Sequence, residues 1–412
     1  MKIKRIIAAV LCLAALLSLA GCAGGPQFKG SDLMAGIKAR AVEVDIDLSD
    51  NEALAEFAVR LFKSSNTDGE NILISPLSVI CALAMTANGA QGETLEQMEE
   101  VFGLSVPELN EYLSAYMKNL PSGEKYKLSL ANSIWFKDEE SFAPEKDFLQ
   151  TNADYYDAAV YKAPFDDSTR DEINEWVEEN TDGMIEDILD KIPADAIMYL
   201  INALAFDAEW ADIYNENEVR EGEFTTESGE EQSVELMYNE EGRYLDDGSA
   251  TGFIKPYADG KYAFAALLPN EGISVGEYLE SLSGEGLMDT LNNAGARTVN
   301  TAIPKFESEY SAELNDVLIS MGMTDAFDPS RADLSGISKA TELFISRVIH
   351  KTYINVDEKG TQAGAATVVE VGKTSAGPTD PKSVILDRPF VYMLIDCETN
   401  LPFFIGTLMS VS

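Results

Sequence analysis

Residues 358–380, EKGTQAGAATVVEVGKTSAGPTD, constrain this chain more than any other stretch. Thr361, Ala363, Ala365, Thr367, Val369 and Val371 occupy every second position. Strict alternation of this kind is the signature of a strand with one buried face. The intervening residues include Gly364, Ala366 and Gly372, so the opposite face is nearly bare. The stretch then becomes KTSAGPTDP, where Gly and Pro set turns and Ser, Thr and Asp bond to local backbone. A loop whose first half has strand chemistry has two readings. It is an edge strand running into a surface loop, or a segment that is loop in one state and central strand in another.

The charge balance narrows the partners. There are 71 acidic and 30 basic residues among 412, a net charge of −41. Nucleic acid is bound by Lys and Arg that neutralise phosphates, so this balance argues against it. It suits attraction of cationic partners. The N-terminus reads as an export segment. Lys2, Lys4 and Arg5 precede an apolar run from Ile6 to Ala20, 15 residues long. That is short of the roughly 20 residues a membrane span needs. The run ends Leu19-Ala20-Gly21-Cys22, which looks like a bacterial lipoprotein signal, with residues 1–21 removed and Cys22 lipidated. A plain secretory signal with an incidental Cys is the other reading. Residues 22–47 read as lipidated Cys and tether, and 48–412 as one α+β domain. The expected place is the bacterial envelope, anchored by lipid.

Active-site chemistry is scarce. His350 is the single histidine, so a Ser-His-Asp triad or a His-based zinc site would have to use it. No HExxH zinc motif or phosphate-binding Gly-rich loop is present. Neither a catalytic residue nor a cofactor or metal is implied. Cys81 and Cys397 lie in apolar stretches and read as free buried thiols.

Along the chain, Asp50 is placed to cap a helix over 51–64. A short strand at 71–74 meets Ser75-Pro76 and a helix over 77–87. Thr94 and Gln97 have capping-box spacing. Strands are expected at 127–136, 198–210, 298–309 and 343–356. Residues 171–189 read as a helix interrupted at Asp182-Gly183. Asp259-Gly260 marks a hairpin turn, and 390–396 with 402–410 a second hairpin. Residues 216–250 read as short strands and turns.

Several of these stretches together resemble the serpin family. NILISPLSVICALAMTANGAQGETLEQ, LANSIWF, INEWVEENTDGMIEDIL, LINALAFDAEW, IPKFESEY, DLSGIS, IHKTYINVDEKGTQAGAA and RPFVYMLID occur in family order over roughly 50–412. The resemblance implies a metastable fold of three β-sheets and eight to nine helices with an exposed reactive-centre loop. It implies a suicide inhibitor: a protease cuts the loop, is held as an acyl-enzyme, and the loop inserts as a new strand of the main sheet. Such insertion is a case of strand addition and of strain release.

By resemblance, Glu358, Lys359, Gly360, Thr361, Gln362, Ala363, Gly364, Ala365 and Ala366 form the hinge. Small uncharged residues there let a strand enter a packed sheet. Trp210, Lys305 and Glu358 match the breach at the top of the sheet, with Lys305 pairing to Glu358. Ser75, Ser78, Asn202 and His350 match the shutter, a polar network that exchanges partners as strands part. Counting from Glu358 sets the scissile bond at Thr374-Ser375, which suits elastase-like or subtilisin-like proteases. Lys373-Thr374 is the alternative and suits trypsin-like enzymes. The span from Glu358 to Pro389 is longer than the family pattern, which leaves the register of the bait open. The expected partners are serine proteases, cationic host enzymes among them, met by a monomer. The competing expectation is a non-inhibitory serpin acting as a surface binding or scaffold lipoprotein.

Overall fold

The computed structural model describes residues 30–361 and 381–411, apart from positions 43, 45–47, 49, 50, 121, 122, 124 and 341. Cys22, the hinge residues Gln362 to Ala366, and Lys373, Thr374 and Ser375 lie outside the described residues. The described chain forms nine α-helices and two hydrogen-bonded sheets.

The first sheet has seven strands. In spatial order they are β1 (Ser31–Asp32), β4 (Ala159–Ala163), β3 (Tyr126–Lys137), β5 (Met198–Glu209), β13 (Gly360–Thr361), β12 (Arg347–Val356) and β11 (Phe306–Glu313). The second has nine: β14 (Lys382–Ile385), β10 (Gly295–Pro304), β7 (Glu231–Asp246), β8 (Ala250–Pro256), β9 (Tyr262–Pro269), β15 (Phe390–Asp396), β16 (Pro402–Leu408) and β2 (Ile72–Ile74), with β6 (Val219–Thr225) paired to β7. The three sheets implied by the resemblance are present as two ladders because β7 belongs to two layers. Its 16 residues pair with β6 and β10 along most of their length, and Arg243–Asp246 pair with β8.

The helices are α1 (Glu52–Ser65), α2 (Pro76–Ala87), α3 (Gly92–Phe102), α4 (Val106–Asn119), α5 (Lys146–Tyr156), α6 (Asp167–Asn180), α7 (Val275–Ser281), α8 (Gly284–Asn292) and α9 (Asn315–Met321). Every residue of α2 is buried, as its nearly polar-free sequence requires. The Ser75 side chain caps it by accepting from the Ser78 amide, with Pro76 at the first helical position. α6 lies on the outer face of the seven-stranded sheet. Ile173 and Val177 of the helix pack there with Trp135, Tyr199, Ile201 and Ala203. On β5, Leu200, Leu204, Phe206 and Ala208 point the other way, into the main core. That alternation makes even positions of β5 inward and odd positions outward.

Several local expectations are corrected. Residues 298–309 are not one strand: β10 ends at Pro304, and β11 begins at Phe306 in the other sheet. Residues 219–246 form two long strands rather than short pieces. Thr94 and Gln97 do not form a capping box. The helix starts earlier, and both side chains act as acceptors for a distant loop, Thr94 from the Asp333 amide and Gln97 from the Thr324 and Asp325 amides. α1 is preceded by Asn51, whose side chain bonds the Thr399 carbonyl at 2.8 Å instead of capping the helix. Part of the segment read as a tether, 22–47, lies against the domain. Ser31 and Asp32 pair with Lys162 and Tyr161, and Arg40 meets Asp154 at 2.6 Å.

Candidate functional site: a strand seam and its hinge

β5 and β12 are parallel neighbours, hydrogen-bonded directly from Tyr199↔Arg347 to Ala205↔Tyr353. Above that point they part. The two residues of β13 fill the gap, Gly360 opposite Glu209 and Thr361 opposite both Ala208 and Val356. Gly360 and Thr361 therefore already sit in the sheet as the first rung of a strand.

Residues 357–360 form the turn that feeds it. The Asp357 carboxylate accepts from the Lys359 and Gly360 amides at 2.8 and 3.1 Å. Such an Asx turn fixes the chain locally. Gly360 is required for a steric reason. A Cβ there would lie 1.9 Å from the Ala208 carbonyl oxygen. Thr361 is fully buried, and its hydroxyl meets the Tyr257 hydroxyl at 2.5 Å.

Three consecutive hinge carbonyls have partners below. The Trp210 indole N–H donates to Asp357 at 2.8 Å. The Trp210 amide donates to Lys359 at 2.8 Å and the Tyr214 amide to Glu358 at 3.0 Å. The Trp210 ring stacks on Tyr257 at 4.4 Å and meets the edge of Phe264. Lys305, at the crossover between the two sheets, binds Glu358 and Glu235, each at 3.0 Å. Burial alone would lower the Lys305 pKa, but the two carboxylates override it and raise it. The Glu358 carboxyl is held below its usual range by a backbone amide and by Lys305. The pair is partly exposed, so it positions more than it stabilises.

Lower down, the four residues that the resemblance assigns to a shutter converge. His350 Nδ1 meets Asn202 Oδ1 at 2.5 Å across the seam, and His350 Nε2 accepts the Ser75 amide at 3.1 Å. An accepting Nε2 puts the ring proton on Nδ1, which donates to Asn202. Burial holds His350 neutral, with its pKa pushed down to about 3. Ser78 donates its hydroxyl to Asn132 Oδ1 at 3.0 Å. Asn132, which lies opposite Asn202 on β3, completes the network and was not singled out in the sequence. Its signal was an amide side chain inside the largely apolar run LANSIWF.

Cys81 is a buried free thiol, and Cys397 is only half-buried. Among the described residues no three His, Cys, Asp or Glu side chains gather as a metal-holding group.

A family model described as Serpin (serine protease inhibitor) matches residues 52–411. The chain belongs to the serpin family. An uncharacterized serpin-like protein of Methanosarcina acetivorans is 32% identical over 359 residues, 84% of this chain and 83% of that one. The crystal structure of a thermophilic serpin, tengpin, in its native state matches with a TM-score of 0.88 at 50% identity, over 93% of this chain and 100% of that chain. Tengpin in its latent state gives 0.79 at 48% identity, over 90% and 100%. The described arrangement is thus nearer the native than the latent form of that protein. Family membership points to protease inhibition and to target proteases as partners, and serpins generally act as inhibitors rather than catalysts.

Proposed function

We propose that this chain is a suicide inhibitor of serine proteases that traps its target by drawing its cut loop between β5 and β12. The observation that carries this reading is the seam itself. Its upper end holds Gly360 and Thr361 in register, and its lower part is closed by strand–strand pairing and a polar network. An entering strand continues a ladder that exists. Its hydrogen bonds and buried side chains supply the driving force.

Extending the register of β13 sets Gln362 opposite Asp207, and Thr367 between Asn202 and His350. Thr361 faces inward, so Thr367 does too. Insertion must break the Asn202–His350 bond, and a threonine hydroxyl can both donate and accept in its place. Asn202 Nδ2, without a partner in the native arrangement, then gains one. Glu370 falls opposite Arg347, whose present partner is Glu313 at 2.7 Å. The loop sequence therefore fits the seam it would enter.

Thr374-Ser375 is the bond we assign as bait, for elastase-like or subtilisin-like enzymes, with Lys373-Thr374 as the trypsin-like alternative. Export, lipidation at Cys22 and a monomer at the bacterial surface complete the proposal. Incubation with an elastase and, separately, with trypsin tests it on a denaturing gel. A complex that survives denaturant, with release of a C-terminal peptide, is expected. A peptide beginning at Ser375 assigns Thr374 as bait, and one beginning at Thr374 assigns Lys373. Clean cleavage of the loop by both enzymes and by a subtilisin, with full protease activity retained, favours the non-inhibitory binding lipoprotein.

A further inference from the structure

Lys255 carries a charge in an interior that the hinge does not obviously need. It is 1% exposed, at the end of β8, and its ammonium has four neighbours. Glu241 Oε1 of β7 lies at 3.0 Å and the Asp212 carbonyl at 3.1 Å. The Tyr214 ring centroid lies at 4.4 Å and the Trp210 ring centroid at 5.3 Å. Three of these four belong to residues 210–214. That short segment, which leaves β5, carries all three donors to the hinge carbonyls of Asp357, Glu358 and Lys359. Its other ties to β8 are the Ala211 amide on the Pro256 carbonyl at 3.1 Å and the Trp210–Tyr257 bridge.

We propose that Lys255, held by Glu241, is the positioning residue of the hinge: its ammonium fixes residues 210–214 so that Trp210 and Tyr214 present their N–H groups to the turn that starts loop insertion. The chemistry requires a cation. A hydrocarbon of the same length could fill the space, but it could not bond the Asp212 carbonyl or attract two aromatic faces. Nor is the pair explained as a source of stability. A buried ion pair replaced on both sides by apolar residues is often neutral or stabilising, whereas removal of one partner leaves an uncompensated charge. A device for position survives this comparison where a device for stability does not. The Tyr214 hydroxyl has no hydrogen-bond partner, so the residue is held through its ring and its backbone.

The consequence for trapping rests on the proposed inhibitory function. Acylation depends on the bond that the protease attacks, whereas the Lys255 ammonium is tied to residues 210–214 and Glu241. Insertion depends on the hinge. Loss of the cation should therefore leave the rate of attack on the protease unchanged and let more of the acyl-enzyme hydrolyse before it is trapped.

The test uses the full chain and three variants: Lys255→Met, Glu241→Gln, and the double variant Lys255→Met with Glu241→Leu. Amide hydrogen exchange in the free protein is the primary readout, since it is independent of any protease. Lys255→Met is expected to speed exchange at the Trp210 and Tyr214 amides at least ten-fold relative to amides of residues 200–204. The double variant should recover the melting temperature of the parent while those two amides remain fast. Glu241→Gln should give an intermediate effect. The stoichiometry of inhibition, measured on any protease the parent traps, should rise at least two-fold in both Lys255 variants at an unchanged second-order rate. Protection at Trp210 and Tyr214 that is unchanged in Lys255→Met, or that returns with the melting temperature in the double variant, overturns the proposal. A parent that traps no protease overturns the inhibitory reading and leaves the exchange result to decide the role of Lys255.

Discussion

His350 and Asp207 lie on the two strands of the seam and respond to acid in opposite senses. His350 has its pKa lowered by burial from 6.5 to about 3. Between those values the unfolded chain takes up a proton that the native shutter refuses, so His350 costs stability as pH falls through 6.5 towards 3. Asp207 has its pKa raised from 3.8 to about 6, by burial first and then by Glu209 and Asp357. Here the native state takes up the proton first, so stability is gained as pH falls through 6 towards 4. Asp207→Asn removes the second effect. It is expected to be more stable than the parent at pH 7.5 and equal to it near pH 4, as read from thermal melts across that range. A difference that does not shrink on acidification contradicts the assignment. Gly360 gives a second residue-scale prediction. Alanine there places a methyl on the Ala208 carbonyl, an overpacking of the kind that costs about 1–3 kcal/mol. Gly360→Ala should lower the melting temperature and raise the stoichiometry of inhibition, because the first rung of the inserting strand is lost. An unchanged stoichiometry would show that the rung is not used.

Elements were legible where the chain's own pattern decides them. α2 follows from an apolar run behind Ser75-Pro76, and the β8–β9 hairpin from the turn around Gly260. They were illegible where a distant partner decides. Nothing in IPKFESE says that the chain changes sheets at Lys305, because both halves alternate and only the core they face differs. Thr94 and Gln97 have the spacing of a local cap, but a loop 227 positions or more away takes their oxygens. The segment from Ser31 to Arg40 reads as mixed and polar, yet Leu33, Met34 and Ile37 pack on the main core, its backbone pairs with β4 and Arg40 meets Asp154. The residues assigned to hinge, breach and shutter were picked out by the family resemblance and not by their own pattern, whereas Asn132 and Lys255 carried no such mark, since each reads alone as a polar residue in a largely apolar strand. The seam yields the element-scale prediction. A crystal structure of loop-cleaved protein should show Thr367 between Asn202 and His350, with Glu370 beside Arg347. A strand shifted by one residue would turn Thr367 outward and refute the register argued from Gly360 and Thr361.

At the scale of the whole molecule, the proposed inhibitor would use charge for encounter and the seam for commitment, and the two can be separated by salt. The sequence carries 71 acidic against 30 basic residues. A field of that sign accelerates approach of a cationic protease and repels an anionic one. It acts over a screening length that shrinks from about 30 Å at 0.01 M salt to about 3 Å at 1 M. Loop insertion, by contrast, happens between buried strands where added salt has little reach. The second-order rate of inhibition of a cationic protease is therefore expected to fall by roughly ten-fold or more between 0.01 and 0.5 M salt, within the range that steering produces. The stoichiometry of inhibition should stay constant over the same range. An anionic protease with the same pocket should show the opposite or no slope. A rate that ignores ionic strength for the cationic enzyme would remove charge from the account of target choice, leaving the bait residue alone to set it. A stoichiometry that rises with salt would instead place a charge-dependent step after acylation. The partly exposed Lys305–Glu358 pair is the contact at the hinge that salt could weaken.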